Sequence, residues 1–164
     1  MASTKILIVD DEELVLDFLF EFLKNEGYAC ILAQNPKDAR EALENNPIEL
    51  ILCDVNMPEE SGIDLIRHVF SEFPDTAVIM ITGIDDPEIA RTAINLGAYG
   101  YILKPFKCHE LLINLHNALL RRKLEIQNRN HRAELEKLVS ERTSELNTAN
   151  AQLQKTMEGI IQAM

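Results

Sequence analysis

The stretch "ELILCDVNMPEESG", residues 49 to 62, decides the fold that this sequence predicts. Its apolar run at residues 51 to 53 is too short for a helix and precedes turn-forming residues, which indicates a buried β-strand. The strand stops at Asp54 and so brings a carboxylate to the edge of a sheet. Asn56, Pro58 and Gly62 then form a loop that leaves this edge open. Asp54 could be a simple turn residue, so its role depends on which other side chains reach the same edge.

Further short apolar runs resemble the one before Asp54, and amphipathic helical patterns separate them. The predicted strands are KILIV from Lys5, YACILA from Tyr28, LILC from Leu50, AVIMI from Ala77 and YGYIL from Tyr99. The predicted helices cover residues 14–25, 36–44, 62–70 and 87–96, and a fifth helix starts at Lys107. Alternating strands and helices predict an α/β fold with a parallel sheet covered on both faces. Right-handed crossovers leave a doubly wound, five-stranded sheet as the natural topology.

The composition excludes several classes of protein. The chain has 164 residues and 46% hydrophobic residues, which suits one domain of about 120 residues plus an appendage. No apolar run approaches the roughly 20 residues that cross a membrane. The three cysteines are widely spaced, which favours reduced thiols in a cytoplasmic protein. Residues 1–120 carry 8 Lys+Arg against 21 Asp+Glu, a net of −13, whereas residues 121–164 carry 8 against 6, a net of +2. Such an acidic domain repels nucleic acid, so we expect no direct nucleic-acid binding.

Polar residues gather where the predicted strands end, and ligands of a doubly wound sheet bind beyond those ends. The first strand is followed by Asp10, Asp11 and Glu12, the third by Asp54, the fourth by Thr82 and Gly83, and the fifth by Lys104 and Pro105. Each has an ordinary alternative, since Asp11 could cap a helix, Thr82 could be a strand-end residue and Lys104 a solvated charge. Because all of these residues are predicted at one edge of the sheet, they favour a shared site.

The chemistry of these side chains indicates phosphoryl transfer. Close carboxylates repel one another, and Mg²⁺, a hard cation that prefers oxygen ligands, relieves this repulsion and keeps positions for phosphate oxygens. Lys104 supplies a positive charge and Thr82 a neutral donor. An aspartate can accept a phosphoryl group as an acyl phosphate. Asp54 is the predicted acceptor, because it is central in the sheet order, and Gly83 leaves space for the incoming group.

Two other phosphate-handling folds fit these residues less well. A dinucleotide-binding fold needs a glycine-rich first turn, whereas residues 10 to 13 read DDEE and would repel a pyrophosphate. Phosphatases of the haloacid-dehalogenase type place two aspartates two residues apart after the first strand. Here Glu12 stands at the second position, and Leu14 replaces the threonine expected two residues further on. We therefore do not expect an enzyme that acts on a separate substrate.

The same residues closely resemble the receiver domains of two-component response regulators, over about residues 4 to 122. The resemblance rests on VDDE at 9–12, CDVNMPEESG at 53–62, ITG at 81–83 and YILKPF at 101–106. It implies the flavodoxin- or CheY-like form of the doubly wound sheet, and a sensor histidine kinase that phosphorylates Asp54. Phosphoryl oxygens would bind Thr82 and Lys104. The implied Mg²⁺ ligands are Asp11, Asp54 and the backbone carbonyl of Asn56, with Asp10 acting mainly through water.

The resemblance also implies how such a domain changes state. The ring of Tyr101 would move inward when Thr82 turns toward the phosphate, and the Lys104–Pro105 peptide bond would be cis. We expect a receiver domain over residues 1–122 that catalyses only its own phosphorylation and dephosphorylation.

Residues 123–164 predict a signalling helix that forms a coiled coil. Residues at one heptad position are Val139, Leu146, Leu153 and Ile160, and those at the other core position are Thr143, Asn150, Met157 and Met164. A buried Asn150 pair favours a two-stranded, in-register arrangement, so we expect a parallel homodimer. The alternative is a single solvated helix packed back on its own domain.

The end of the sequence resembles a linker to an output domain. Residues 135–154, LEKLVSERTSELNTANAQLQ, resemble signalling helices, and residues 155–164, KTMEGIIQAM, resemble the entry into HD-GYP cyclic-di-GMP phosphodiesterase domains. A histidine kinase or a diguanylate cyclase could follow a similar linker. We expect the sequence to stop before an output domain. The alternative is a stand-alone receiver that acts through protein–protein interaction and dimerisation alone.

Overall fold

The computed structural model describes residues 2–83 and 85–164, and within them strands and helices alternate along the chain. The described strands are β1 (Lys5–Val9), β2 (Ala29–Ala33), β3 (Leu50–Asp54), β4 (Ala77–Thr82) and β5 (Gly100–Leu103). The described helices are α1 (Glu13–Asn25), α2 (Pro36–Asn45), α3 (Gly62–Glu72), α4 (Pro87–Leu96) and α5 (Cys108–Ala163). The predicted elements differ from these only at their ends, and the α/β class is confirmed.

The described strands form one sheet in the order β2-β1-β3-β4-β5, with every neighbouring pair parallel. This is the flavodoxin-like form of the doubly wound sheet, in which β3 is central. Because the strands are parallel, the residues that follow β1, β3, β4 and β5 meet at one edge. The predicted topology is confirmed.

Both faces of the sheet are covered, which explains why the strands read as continuous apolar runs rather than alternating ones. Leu7 and Ile51 point to one face and pack in a core with residues of α2, α3 and α4. Ile8 and Leu52 point to the other face and pack with residues of α1 and α5. These four strand residues are 0 to 1% exposed. The helices on both faces therefore hold the central strands in place, and with them the residues at the strand ends.

The chain divides into two compact units, the first ending at Lys123 and the second spanning Leu124–Met164. The second unit is helical up to Ala163, and the predicted long C-terminal helix is confirmed. In the single chain its apolar residues are exposed, including Leu146 at 63% and Leu153 at 60%. None of the described helices is both long enough and apolar enough to cross a membrane.

Helix α3 begins in close contact with the end of β3. The amide of Gly62 donates to the carbonyl of Val55 at 2.9 Å, and the Ser61 hydroxyl accepts from the amide of Ile63 at 3.2 Å. A Cβ atom built on Gly62 would lie 2.1 Å from the backbone oxygen of Asp54. Any larger residue must therefore push α3 away from the strand that carries Asp54.

We predict that Gly62→Ala lowers the free energy of unfolding by about 1–3 kcal/mol, the usual cost of an overpacked site. Gly83→Ala is the matched control, because a Cβ there would meet nothing within 4 Å. Urea unfolding of both variants followed by circular dichroism measures the difference. Equal stability of the two variants would contradict the close contact at Gly62.

Candidate functional site

A lysine and three carboxylates meet at the edge of the sheet where the parallel strands end. Lys104 Nζ lies 2.7 Å from Asp10 Oδ2, 3.2 Å from Asp54 Oδ2 and 3.6 Å from Glu12 Oε1. Asp10 and Asp54 are buried, whereas Glu12 is exposed. Residues that are 94 and 50 positions away from Lys104 thus share one cation.

In each buried aspartate, one carboxylate oxygen accepts from a backbone amide and the other accepts from Lys104. Oδ1 of Asp10 accepts from the amide of Glu12 at 2.9 Å, and Oδ1 of Asp54 accepts from the amide of Asn56 at 3.1 Å. In both residues Oδ2 accepts from Lys104. A short aspartate side chain that bonds the amide two residues on is a common way of starting a turn. The turns after β1 and β3 therefore orient the carboxylates toward Lys104.

Burial and charge act in opposite directions on these groups. Burial raises the pKa of Asp54, although the Asn56 amide and the Lys104 charge partly oppose this shift. Burial pushes the pKa of Lys104 downward, but its bonds to Asp10 and Asp54 outweigh burial, so this pKa lies above its ordinary value. Lys104 is thus held in its charged form. Any further positive charge brought to the site would stabilise the charged form of Asp54.

The carboxylates also form a set of oxygen donors. Asp10, Glu12 and Asp54 each offer one oxygen, and these atoms lie within 4.8 Å of one another. All-oxygen donors of negative charge suit Mg²⁺, so the residues present fit this ion. Asp11, predicted as a direct ligand, lies outside this group and is exposed. The sequence places Glu12 among the acidic residues that follow β1 but does not distinguish it from Asp11.

The remaining predicted site residues lie in β4 and β5 or directly after them. Thr82 ends β4 and is buried, and its carbonyl accepts from the amide of Lys104 at 2.7 Å. Gly83 follows it and is exposed. Tyr101 lies in β5, is partly buried and packs against the core. The Lys104–Pro105 peptide bond is cis, as the resemblance implied.

An apolar cavity of about 300 Å³ opens beside Lys104. Its lining residues are Leu14, Val15, Phe18, Lys104, Pro105 and Phe106. Leu14 is 84% exposed and Phe18 49% exposed, although both are large and apolar. Exposed apolar side chains that line one cavity favour contact with another protein.

Comparison with known proteins identifies relatives of the first unit. The family described as "Response regulator receiver domain" matches residues 6–116. The transcriptional regulatory protein CrdR of Helicobacter pylori is 37% identical over 108 residues, which cover 65% of this chain and 51% of that protein. The chain spans about half the length of the curated relatives it matches.

Solved structures agree with this match. A CheY-like receiver domain protein from Methanospirillum hungatei superposes with a TM-score of 0.73 at 31% identity, covering 76% of this chain and 99% of that one. The signal receiver domain of an HD domain-containing protein from Pseudomonas fluorescens gives a TM-score of 0.72 at 29% identity, covering 74% and 98%.

Proposed function

Since this chain belongs to the response regulator receiver family, we propose that it accepts a phosphoryl group on Asp54 from a sensor histidine kinase. The observation that carries the proposal is the contact of Lys104 with the buried carboxylates of Asp54 and Asp10. Asp54 ends the central strand and precedes a loop, so its carboxylate lies at the edge of the sheet where the other strands also end. Relatives are named as regulatory proteins rather than enzymes.

The transfer would need little from the protein beyond position and charge. A carboxylate oxygen of Asp54 forms a bond to the phosphorus while the nitrogen–phosphorus bond of the kinase phosphohistidine breaks. The electron pair of that bond returns to the imidazole nitrogen, and Asp54 becomes an acyl phosphate. Lys104 offsets the charge of the phosphoryl oxygens, and the Thr82 hydroxyl donates to one of them.

Mg²⁺ would be held by Asp11, Asp54 and the carbonyl of Asn56, with Asp10 acting through water. When bound, it supplies positive charge that offsets the carboxylates and the phosphoryl oxygens. Glu12 offers a further oxygen near Asp10 and Asp54.

The kinase would approach over the apolar cavity that Leu14 and Phe18 line next to Lys104. A partner seated there buries exposed apolar area and brings its phosphohistidine to the same edge of the sheet as Asp54. We place this encounter in the cytoplasm.

The phosphorylated state would then be relayed from the receiver, residues 1–122, to the signalling helix, residues 123–164. Thr82 turns toward the phosphate and the ring of Tyr101 follows it inward. The helix forms a parallel homodimer, and a changed receiver alters how two helices pack. The exposed residues Val139 and Ile160, 62% and 55% accessible in the single chain, support a seam that a second copy covers.

The output domain would be a cyclic-di-GMP phosphodiesterase of the HD-GYP type. The name of the Pseudomonas fluorescens relative, an HD domain-containing protein, supports this choice. Residues 155–164 support it through their resemblance to the entry of such domains.

A small phosphodonor together with Mg²⁺ is expected to add one phosphoryl group to the protein, at Asp54. Asp54→Asn removes the nucleophile and should abolish the adduct, which intact-mass spectrometry detects. Asp64→Asn is the control, since Asp64 is an exposed aspartate in the first turn of α3. Full labelling of Asp54→Asn would refute the assignment.

Mg²⁺ binding should weaken by roughly tenfold or more in Asp11→Asn, because the loss of even an outer-sphere residue lowers metal affinity by about tenfold. Glu59→Gln, in the loop but outside the proposed ligands, should bind like the unaltered protein. Titration with Mg²⁺ followed by amide chemical shifts near Asp54 gives the affinities. A larger loss in Glu12→Gln than in Asp11→Asn would move the ligand role to Glu12.

The full chain should be a dimer at tens of micromolar, and a chain ending near Arg122 a monomer. Leu146→Glu places a charge in the seam and should dissociate the dimer, whereas Thr148→Glu, on the outer side of the same heptad, should not. Added salt should tighten the dimer modestly by screening the acidic domains. Light scattering measures each mass, and a monomeric full chain would disprove the coiled coil.

A further inference from the structure

An ion pair joins α2 to the loop that follows Asp54. Nη1 of Arg40 donates to Oε2 of Glu60 at 2.8 Å, and Nη2 donates to Oε1 of the same carboxylate. The two side chains are 32% and 29% exposed. Two parallel bonds between a guanidinium and a carboxylate fix orientation as well as distance. Arg40 thus holds Glu60 in one position relative to α2.

The pair is stabilised in its charged form. The hydrogen bond to Glu60 raises the pKa of Arg40, and the hydrogen bond to Arg40 lowers the pKa of Glu60. Glu60 therefore keeps its charge, and the contact persists across the neutral range.

The loop that carries Glu60 is closed at its base and strained near its tip. At the base, the Gly62 amide donates to the carbonyl of Val55 at 2.9 Å. Near the tip, Glu59 has a φ of 72°, in the left-handed region that a glutamate rarely occupies. Such a conformation persists only where surrounding contacts hold it. The bonds of Arg40 to the next residue, Glu60, are contacts of this kind.

The same loop contains Asn56, whose amide donates to Oδ1 of Asp54 at 3.1 Å. We propose that Arg40 is a positioning residue for phosphoryl acceptance, because it holds the loop in which Asn56 orients the carboxylate of Asp54. This inference rests on the proposed function and adds to it a residue 14 positions before the acceptor in sequence, on helix α2. The carbonyl of Asn56, a proposed Mg²⁺ ligand, is placed by the same loop.

A purely structural role would give a different result. In that case, loss of this partly buried ion pair would change the unfolding temperature without changing Mg²⁺ affinity or phosphorylation rate. A positioning role changes Mg²⁺ affinity and phosphorylation rate beyond any change in stability. The experiment therefore measures all three quantities on each variant.

The variants are Arg40→Gln, Glu60→Gln, Arg40→Lys, and the reciprocal exchange of Arg40→Glu with Glu60→Arg. Arg91→Gln is the matched control, since it removes an exposed pair with Glu88 on α4, with side chains 69% and 81% exposed. Mg²⁺ affinity is read from the amide shift of Asn56, and phosphorylation by a small phosphodonor from intact mass over time. Thermal unfolding gives the stability.

Either single neutral variant should weaken Mg²⁺ binding and slow phosphorylation by about threefold to tenfold, near the lower limit for residues that support a metal site indirectly. The reciprocal exchange should recover most of this loss, and Arg40→Lys, which keeps the charge but not the two-point contact, should recover part of it. The control should match the unaltered protein.

Unchanged affinity and rate in Arg40→Gln would overturn the inference while leaving the proposed function intact. So would an equal loss in Arg91→Gln, or a loss that neither the exchange nor Arg40→Lys recovers. An unaltered protein that binds no Mg²⁺ and accepts no phosphoryl group would instead refute the proposed function, and the inference with it.

Discussion

The contact of Lys104 with two buried aspartates is the interaction on which the candidate site depends. Asp10 and Asp54 are 2% and 5% exposed, and each places one oxygen within 3.2 Å of Lys104 Nζ. Two carboxylates at this depth repel each other and lose hydration, which is costly without a cation. Lys104 reduces that cost but carries a single charge, so one negative charge remains. Further positive charge at this edge of the sheet would therefore stabilise the charged form of the carboxylates.

Parallel strands are the reason these groups can meet. Strand β3 pairs in parallel with β1 on one side and with β4 on the other, so the residues that follow all three strands lie at the same edge of the sheet. The core on both faces keeps the strands in place, so sequence variation is tolerated mainly in the loops beyond them. Those loops are fixed locally, by the aspartate-to-amide bonds of Asp10 and Asp54 and by the close approach of Gly62 to the backbone of Asp54. The candidate site is therefore built from short turns supported by the paired strands of the sheet.

The second unit presents a different physical situation. Its apolar residues repeat at heptad spacing, yet Leu146 and Leu153 are more than half exposed in a single chain. Isolated helices gain little stability from propensity alone and depend on packing of an apolar face. In the proposed dimer a second copy of the helix would cover this face, and Asn150 within the seam would limit the possible arrangements of the two helices. The proposed relay would thus use a helix that is stabilised by a second copy of itself.

The sequence by itself determined the strands, the helices and the residues that follow each strand, because buried strands require unbroken apolar runs and turns require particular residues. It also determined the candidate acceptor Asp54 and the residues Thr82 and Lys104 that follow or end other strands, because strand ends can be read from the sequence. Only the tertiary structure decided that Glu12 brings an oxygen within 4.8 Å of those of Asp10 and Asp54, because this distance depends on the turn after β1 and on the pairing of β1 with β3. It alone joined Arg40 to Glu60, 20 residues apart. Side-chain pairs between separate elements depend on how those elements pack, and no local pattern in the sequence records that packing.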